Sequence, residues 1–167
     1  MNLKLTILTI LLVTSFSMNA QNYEKLWSEV EALEIQGKVK TANEKVTLIY
    51  KKAKKRKHHK QLIKSLFYLS KFSLELQEDA ELKIAALLEK NIQETSFPSN
   101  AILTSVLADF KWQYYQNNRW QIYNRTHTEN EDNTDFRTWD LNTLFTDIHN
   151  DFKASISEKE ALQKTDI

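Results

Sequence analysis

The stretch YEKLWSEVEALEIQGKVKTANEKVTLIYKKAKKR, residues 23–56, decides the fold. Its apolar side chains recur every three or four residues on both sides of Gly37, which is the spacing of one face of an α-helix. Gly37 is well suited to end the first helix, because glycine adopts the left-handed backbone without a steric cost. The stretch therefore predicts two helices, residues 22–36 and 38–56, which run antiparallel because the link between them is short.

The same periodicity continues along the rest of the chain. Apolar stripes predict four further helices, which begin near Lys60, Glu78, Pro98 and Asp140. Successive pairs of helices begin 37 and 38 residues apart, counted from Tyr23, and this period is typical of helix–turn–helix repeats. We therefore predict an all-α fold of about six helices in antiparallel pairs, arranged as a right-handed α-solenoid (TPR-like) stack or as a helical bundle.

The composition excludes several classes of protein. The 167 residues include one Gly, one Pro and no Cys. Scarce glycine disfavours β-hairpins and phosphate-binding loops, and the absence of Cys excludes disulfides, thiolate nucleophiles and Cys-ligated zinc or iron–sulfur clusters. No catalytic motif of a known hydrolase or metalloprotease is present. We therefore expect no enzyme, and neither a cofactor nor a metal site.

The N-terminus has the pattern of a secretory signal peptide. Lys4 precedes a short apolar run, Leu5–Val13, and a polar stretch then leads to Ala20. Since the run is too short to span a bilayer, we predict a signal peptide over residues 1–20. The protein is then exported to the periplasm or the extracellular space, and it is not a lipoprotein because it has no Cys.

Beyond the signal peptide we predict one helical, repeat-like domain over residues 21–157. Its interruption is a polar, exposed loop at about residues 117–138, and residues 158–167 form a C-terminal tail where a longer protein could have been cut. Residues 21–167 carry 22 basic and 22 acidic side chains. A neutral chain attracts neither nucleic acid nor an anionic membrane through its global field, so we expect a protein partner, no nucleic acid and no membrane contact after cleavage.

One segment of this neutral chain is strongly basic. Seven of the ten residues of Lys51–Lys60 are Lys or Arg, which suggests a site for a polyanion. The simpler interpretation is a solvated helix end, because positive side chains complement the negative C-terminal end of a helix dipole. We favour the simpler interpretation.

Aromatic side chains concentrate around the predicted loop and are the candidates for partner contact. Tryptophan and tyrosine dominate both protein interiors and protein interfaces, so the same residues could instead pack in the core. The candidate contact residues are Trp112, Tyr115, Trp120, Tyr123 and Trp139.

Three segments, Tyr23–Phe72, Asp109–Thr126 and Asp135–Phe145, resemble the N-terminal helical region of exported alpha-2-macroglobulin family proteins of Bacteroidetes-type bacteria. The resemblance implies a segment that precedes the macroglobulin-type β-domains of a protease-trapping protein. In that family a protease cuts a bait region, and in many members a thioester built from a Cys and a Gln then tethers the protease. This chain has no Cys and no such β-domains, so no inhibitory residue is carried over.

These observations lead to two hypotheses for the function. The first is a non-catalytic helical packing or docking module of an alpha-2-macroglobulin-like protein, with its own downstream domains as the partner. The alternative is a free-standing periplasmic TPR-like adaptor that binds a protein or a peptide in a concave groove.

Overall fold

A computed structural model of the chain describes residues 23–125 and 134–165, and within these ranges it contains helices and no strand. This confirms the predicted all-α fold. The helices are α1 (23–35), α2 (Val39–Lys55), α3 (His59–Leu76), α4 (Ala80–Glu94), α5 (Ser99–Tyr123), α6 (Leu141–Ser155) and α7 (Lys159–Gln163). The chain divides into two compact units between Leu76 and Gln77, called here the first and the second unit.

The first unit contains α1, α2 and α3. Helix α2 buries one narrow stripe and packs it against α3. Helix α1 adds Tyr23, Trp27 and Val30 to the core. The Trp27 indole Nε1–H donates to Gln61 Oε1 of α3 at 2.6 Å. Because the indole is both buried and hydrogen-bonded, it fixes α1 on α3 at little desolvation cost. The buried stripe of α2 consists of Ala42, Val46, Ile49 and Ala53.

The two turns of the first unit have the same backbone design. After α1, Gly37 has φ +70°, and the N–H of Lys38 donates to the carbonyl of Leu33 at 2.9 Å. After α2, Lys57 has φ 52°, and the N–H of His58 donates to the carbonyl of Ala53 at 2.9 Å. Both are Schellman-type helix ends. The sequence predicted the first turn from its glycine, whereas nothing at Lys57 indicates a left-handed residue.

This shared design gives a prediction. Gly37→Ala is expected to lower the free energy of unfolding by about 1 kcal/mol, because a Cβ disfavours the left-handed backbone. No described atom lies within 4 Å of the added Cβ, so the backbone conformation alone sets the cost. Lys57→Gly is expected to raise the free energy by about 0.5 kcal/mol, since strain relief exceeds the added chain entropy. Urea unfolding measures both, and an unchanged Gly37→Ala variant would contradict the account.

In the second unit, α5 packs against both α4 and α6. Helix α6 begins at a well-formed cap, because the Asp140 carboxylate accepts the backbone N–H groups of Asn142 and Thr143 at 2.9 and 3.0 Å. The sequence correctly placed this start near Asp140. The buried side chains of α4 and α5 are Ala80, Ile84, Ala85, Leu88, Asn91, Ser99, Leu103, Leu107, Ala108, Lys111 and Ile122.

Three sequence predictions are wrong in detail. The loop predicted from residue 117 begins later, because α5 continues to Tyr123, and within residues 117–138 Phe136 is buried rather than exposed. The predicted tail, 158–167, contains the short helix α7. The apolar stripe of α3 is wide enough to predict burial on most sides of the helix, yet Phe67 and Leu74 are about half exposed. Helix α5 continues through the polar residues after Asn117, because a helix needs apolar side chains only on the face that packs against its neighbours.

Other predictions concern residues that lie outside the described ranges. These are the signal peptide, residues 1–20, and the middle of the predicted loop, residues 126–133. Among the described helices, none is long and apolar enough to cross a membrane.

Candidate functional site

Helix α5 positions four of the five aromatic candidates. Trp112, Tyr115 and Tyr123 are three and eight residues apart, so helical geometry places them on one side of α5. Trp112 is 37% exposed and Trp120 is 76% exposed. Of the four candidates on α5, Trp112, Trp120 and Tyr123 are exposed and Tyr115 is partly exposed.

Two of the candidates meet a third ring that the sequence did not single out. The rings of Trp112 and Tyr115 are 5.4 Å apart between centroids. The Phe145 ring of α6 lies 5.8 Å from Trp112 and 4.7 Å from Tyr115, the latter edge-to-face at 70°. Aromatic pairs at these distances attract each other beyond the burial of area. We call this cluster of Trp112, Tyr115 and Phe145 the aromatic face.

Exposed apolar side chains extend the aromatic face along α6. Phe145 is 36% exposed, and Phe152 and Ile156 follow it at spacings of seven and four residues, both exposed. This spacing keeps Phe145 and Phe152 on one side of α6, and Ile156 follows at the C-cap of the helix. Large apolar side chains that adjoin one another at the surface are typical of an interaction site, whereas scattered ones are common on any protein.

A buried cation fixes the two helices that carry the aromatic face. Lys111 of α5 is buried, and its ammonium donates to the carboxylates of Asp147 and Asp151 on α6, the second at 3.1 Å. Burial alone lowers the pKa of the Lys111 ammonium, but the hydrogen bonds and charges of the two carboxylates outweigh it and raise the pKa. Lys111 is therefore protonated at neutral pH and holds α5 against α6.

The Asp151 carboxyl is affected by burial as well as by Lys111. Burial raises the pKa of the Asp151 carboxyl, although the charge and the hydrogen bond of Lys111 act in the opposite direction. The raised pKa of Lys111 thus favours its charged form, whereas the raised pKa of Asp151 disfavours its charged form. Asp151 also lies near the negative Asp147. We therefore infer that the ion pairs of Lys111 fix the position of α6 on α5 more than they add to the free energy of unfolding.

The segment before α6 is fixed by polar contacts within the second unit. The Arg125 guanidinium at the end of α5 donates to the carbonyl groups of Arg137 and Trp139. Arg137 in turn forms ion pairs with Asp135 at 3.0 Å and Asp79 at 3.1 Å. These bonds hold the main chain that leads into α6. They therefore fix the start of α6 and, with it, the position of Phe145 in the aromatic face.

Trp139 belongs to a different surface. Its ring lies 5.8 Å from the Lys111 ammonium, and it borders an open groove of about 440 Å³. The groove is otherwise polar, so the structure does not join Trp139 to the aromatic face. The residues that line it are Trp139, Asn142, Thr143, Thr146, Asp147 and Asn150.

The last two candidates lie farther along α5. Tyr123 is eleven residues after Trp112, which corresponds to about 16 Å of helix. Trp120 is stacked on Arg119, whose guanidinium carbon is 5.5 Å from the ring centroid. Both side chains are exposed and extend the aromatic surface of α5 without ring contact to Phe145 among the described contacts.

Phe145, Phe152 and Ile156 have the helical spacing of a core stripe, so the sequence alone does not mark them as surface residues. The apolar stripe of α6 is wider than one helix–helix contact needs, since only Leu144 and Ile148 of its apolar residues are buried, together with Ser155. The width of the stripe was the signal that could have revealed an exposed apolar face. Lys111 was missed because a lysine within a helix gives no sign of its partners.

The described residues contain no group of three or more His, Asp or Glu side chains arranged to hold a metal ion. Comparison of the chain with protein-family models, with curated proteins and with solved structures finds no match. The resemblance to the alpha-2-macroglobulin family therefore stays a prediction.

Proposed function

We propose that this chain is a non-catalytic helical docking module that binds a protein partner on the aromatic face. The observation that carries the proposal is the surface cluster of Trp112, Tyr115 and Phe145, with centroid distances of 4.7 to 5.8 Å. Tryptophan and tyrosine are enriched among the residues that dominate the binding energy of protein interfaces.

The rigidity of the face supports the proposal. Each ring of the cluster contacts the other two, and the Lys111 bridge holds the helices beneath them. Side chains that are already ordered lose little conformational entropy when a partner binds. An ordered aromatic cluster therefore suits a docking surface better than mobile side chains would.

We further propose that the chain is exported and that the partner is the remainder of an alpha-2-macroglobulin-like protein. The alternative partner is a separate exported protein, which would make the chain an adaptor. The size of the native product separates the two: an immunoblot of envelope fractions shows a band many times larger than 19.7 kDa in the first case and one near that mass in the second.

Paired substitutions test the docking surface itself. In the cell of origin, the tagged chain carrying Trp112→Gln and Phe145→Gln is expected to bind the protein that co-purifies with the unsubstituted chain about 100-fold more weakly. Quantitative mass spectrometry of the co-purified material and titration of the purified pair measure the loss. Phe145→Tyr, which keeps the ring, is expected to bind normally.

A matched control removes exposed apolar area elsewhere. Leu48 and Phe67 of the first unit are exposed to a greater extent than Trp112 and Phe145. The variant Leu48→Gln with Phe67→Gln should retain the partner. Equal binding by the two double variants, at comparable thermal stability, would contradict the proposed docking surface.

A further inference from the structure

The neutral total charge conceals opposite charges on the two units. Through Leu76 the chain has 14 Lys and Arg against 6 Asp and Glu, a net charge of +8. From Gln77 onward it has 9 against 16, a net charge of −7. Because exposed charges are screened beyond about 8 Å at physiological salt, the potential at a surface patch is set by the charges near it and not by the total charge of the chain.

The positive charge is concentrated on α2 and α3. Between Glu44 and Glu75 there are ten Lys and Arg residues and no acidic residue. The turn between the two helices is the centre of this segment, and its side chains are exposed. We call this turn the basic turn; it consists of Lys55, Arg56, Lys57, His58 and Lys60.

The shape of the basic turn favours an extended partner over a small ion. The N–H of His58 bonds to the carbonyl of Ala53, and left-handed Lys57 closes the helix end, so the backbone is fixed while the side chains point outward. The described grooves beside Gly37 and Trp139 are lined by other residues. A cluster of exposed cations that lines neither groove is complementary to a broad anionic surface.

The start of α1 lies at the same place. The Lys52 ammonium is 4.8 Å from the centroid of the Tyr23 ring, and the His58 ring is 5.2 Å from it. These two contacts join the start of α1 to Lys52 of α2 and to His58 of the basic turn, so the turn is held by a second helix.

We propose that the basic turn binds an anionic phospholipid surface. The contact is electrostatic and reversible, because residues 54–60 contain no aliphatic or Phe, Trp or Tyr side chain that could insert. The same absence disfavours single-stranded nucleic acid, which stacks its bases on exposed aromatic rings. We expected no membrane contact because the total charge of the chain is close to zero. Since the two units carry opposite net charges, the total charge does not argue against membrane contact of the first unit.

Vesicle binding of the full chain tests the proposal. The triple variant Lys55→Gln, Lys57→Gln and Lys60→Gln is expected to bind phosphatidylcholine vesicles containing about one-third phosphatidylglycerol about 100-fold more weakly than the unsubstituted chain. Sedimentation with vesicles at about 0.1 M and 0.5 M salt measures this binding. The higher salt should weaken the binding of the unsubstituted chain more than that of the triple variant. Pure phosphatidylcholine vesicles report any binding by the apolar run alone.

A control variant changes the total charge equally. Lys83, Lys90 and Lys153 are exposed lysines of the second unit, and replacing all three with Gln should leave binding to anionic vesicles within about twofold. Equal losses in the two triple variants would overturn the proposal, and so would equal binding of the unsubstituted chain to anionic and neutral vesicles. Salt-sensitive binding to single-stranded RNA without binding to anionic vesicles would also overturn it, in favour of a nucleic-acid site.

Discussion

Replacing Phe72 with Ala is expected to lower the free energy of unfolding by about 4 kcal/mol, because the change leaves a cavity in the core of the first unit. Phe72 is 0% exposed, and its ring packs edge-to-face on Tyr68 at 5.9 Å between centroids. Tyr68 in turn contacts Trp27 of α1 at 4.8 Å. The loss of Phe72 therefore weakens the contact of α3 with α1 as well as its own burial. Urea or guanidinium unfolding measures the change.

The matched control lies on the same helix. Phe67 is 52% exposed, so Phe67→Ala removes the same atoms without a comparable cavity, and the expected loss is below about 1 kcal/mol. The hydrophobic pattern of α3 alone does not separate the two residues. Equal losses at Phe67 and Phe72 would mean that α3 is buried on both sides, as its sequence suggested, and would contradict the structure.

Replacing Lys111 with Met is expected to lower the free energy of unfolding by about 3 kcal/mol, because two carboxylates lose their cation. The Lys111 side chain is 5% exposed, and those of Asp147 and Asp151 are 33% and 24% exposed. Methionine fills a similar volume, so the loss reports the uncompensated charge and not a cavity. Thermal or urea unfolding near pH 7 measures it.

A compensating variant separates charge from packing. Adding Asp147→Asn and Asp151→Asn to Lys111→Met is expected to recover more than half of the lost free energy, since neutral amides do not repel each other. Asp135→Asn with Arg137→Gln, which removes another ion pair of the second unit, should cost less, because both partners are more exposed than Lys111. No recovery in the compensated variant would show that Lys111 acts through its packing.

The periodicity of the sequence was sufficient to predict the all-α fold and the starts of most helices. Local rules were enough at Gly37, whose left-handed backbone ends α1, and at Asp140, whose carboxylate caps α6. At Lys57 they were not, because the left-handed backbone there is imposed by the Schellman-type turn between two packed helices and not by the residue type.

The candidate site was predicted only in part. Aromatic composition pointed to Trp112 and Tyr115, and both are in the aromatic face. Trp139 was a candidate and lies outside the aromatic face, whereas Phe145 was not a candidate and lies within it, because ring contacts between α5 and α6 depend on the angle and register of two helices that no local pattern specifies. The Lys111 bridge joins residues 36 and 40 positions apart and escaped detection for the same reason.

Site-specific photo-crosslinking tests the proposed docking surface most directly. A photoreactive benzoylphenylalanine replaces Trp112 in the aromatic face, and in a separate variant it replaces Asn117, an exposed residue of α5 about 140° around the helix. On irradiation in the cell of origin, we expect one discrete protein adduct from position 112 and none from position 117. The absence of an adduct at position 112, or the same adduct at both positions, would contradict it.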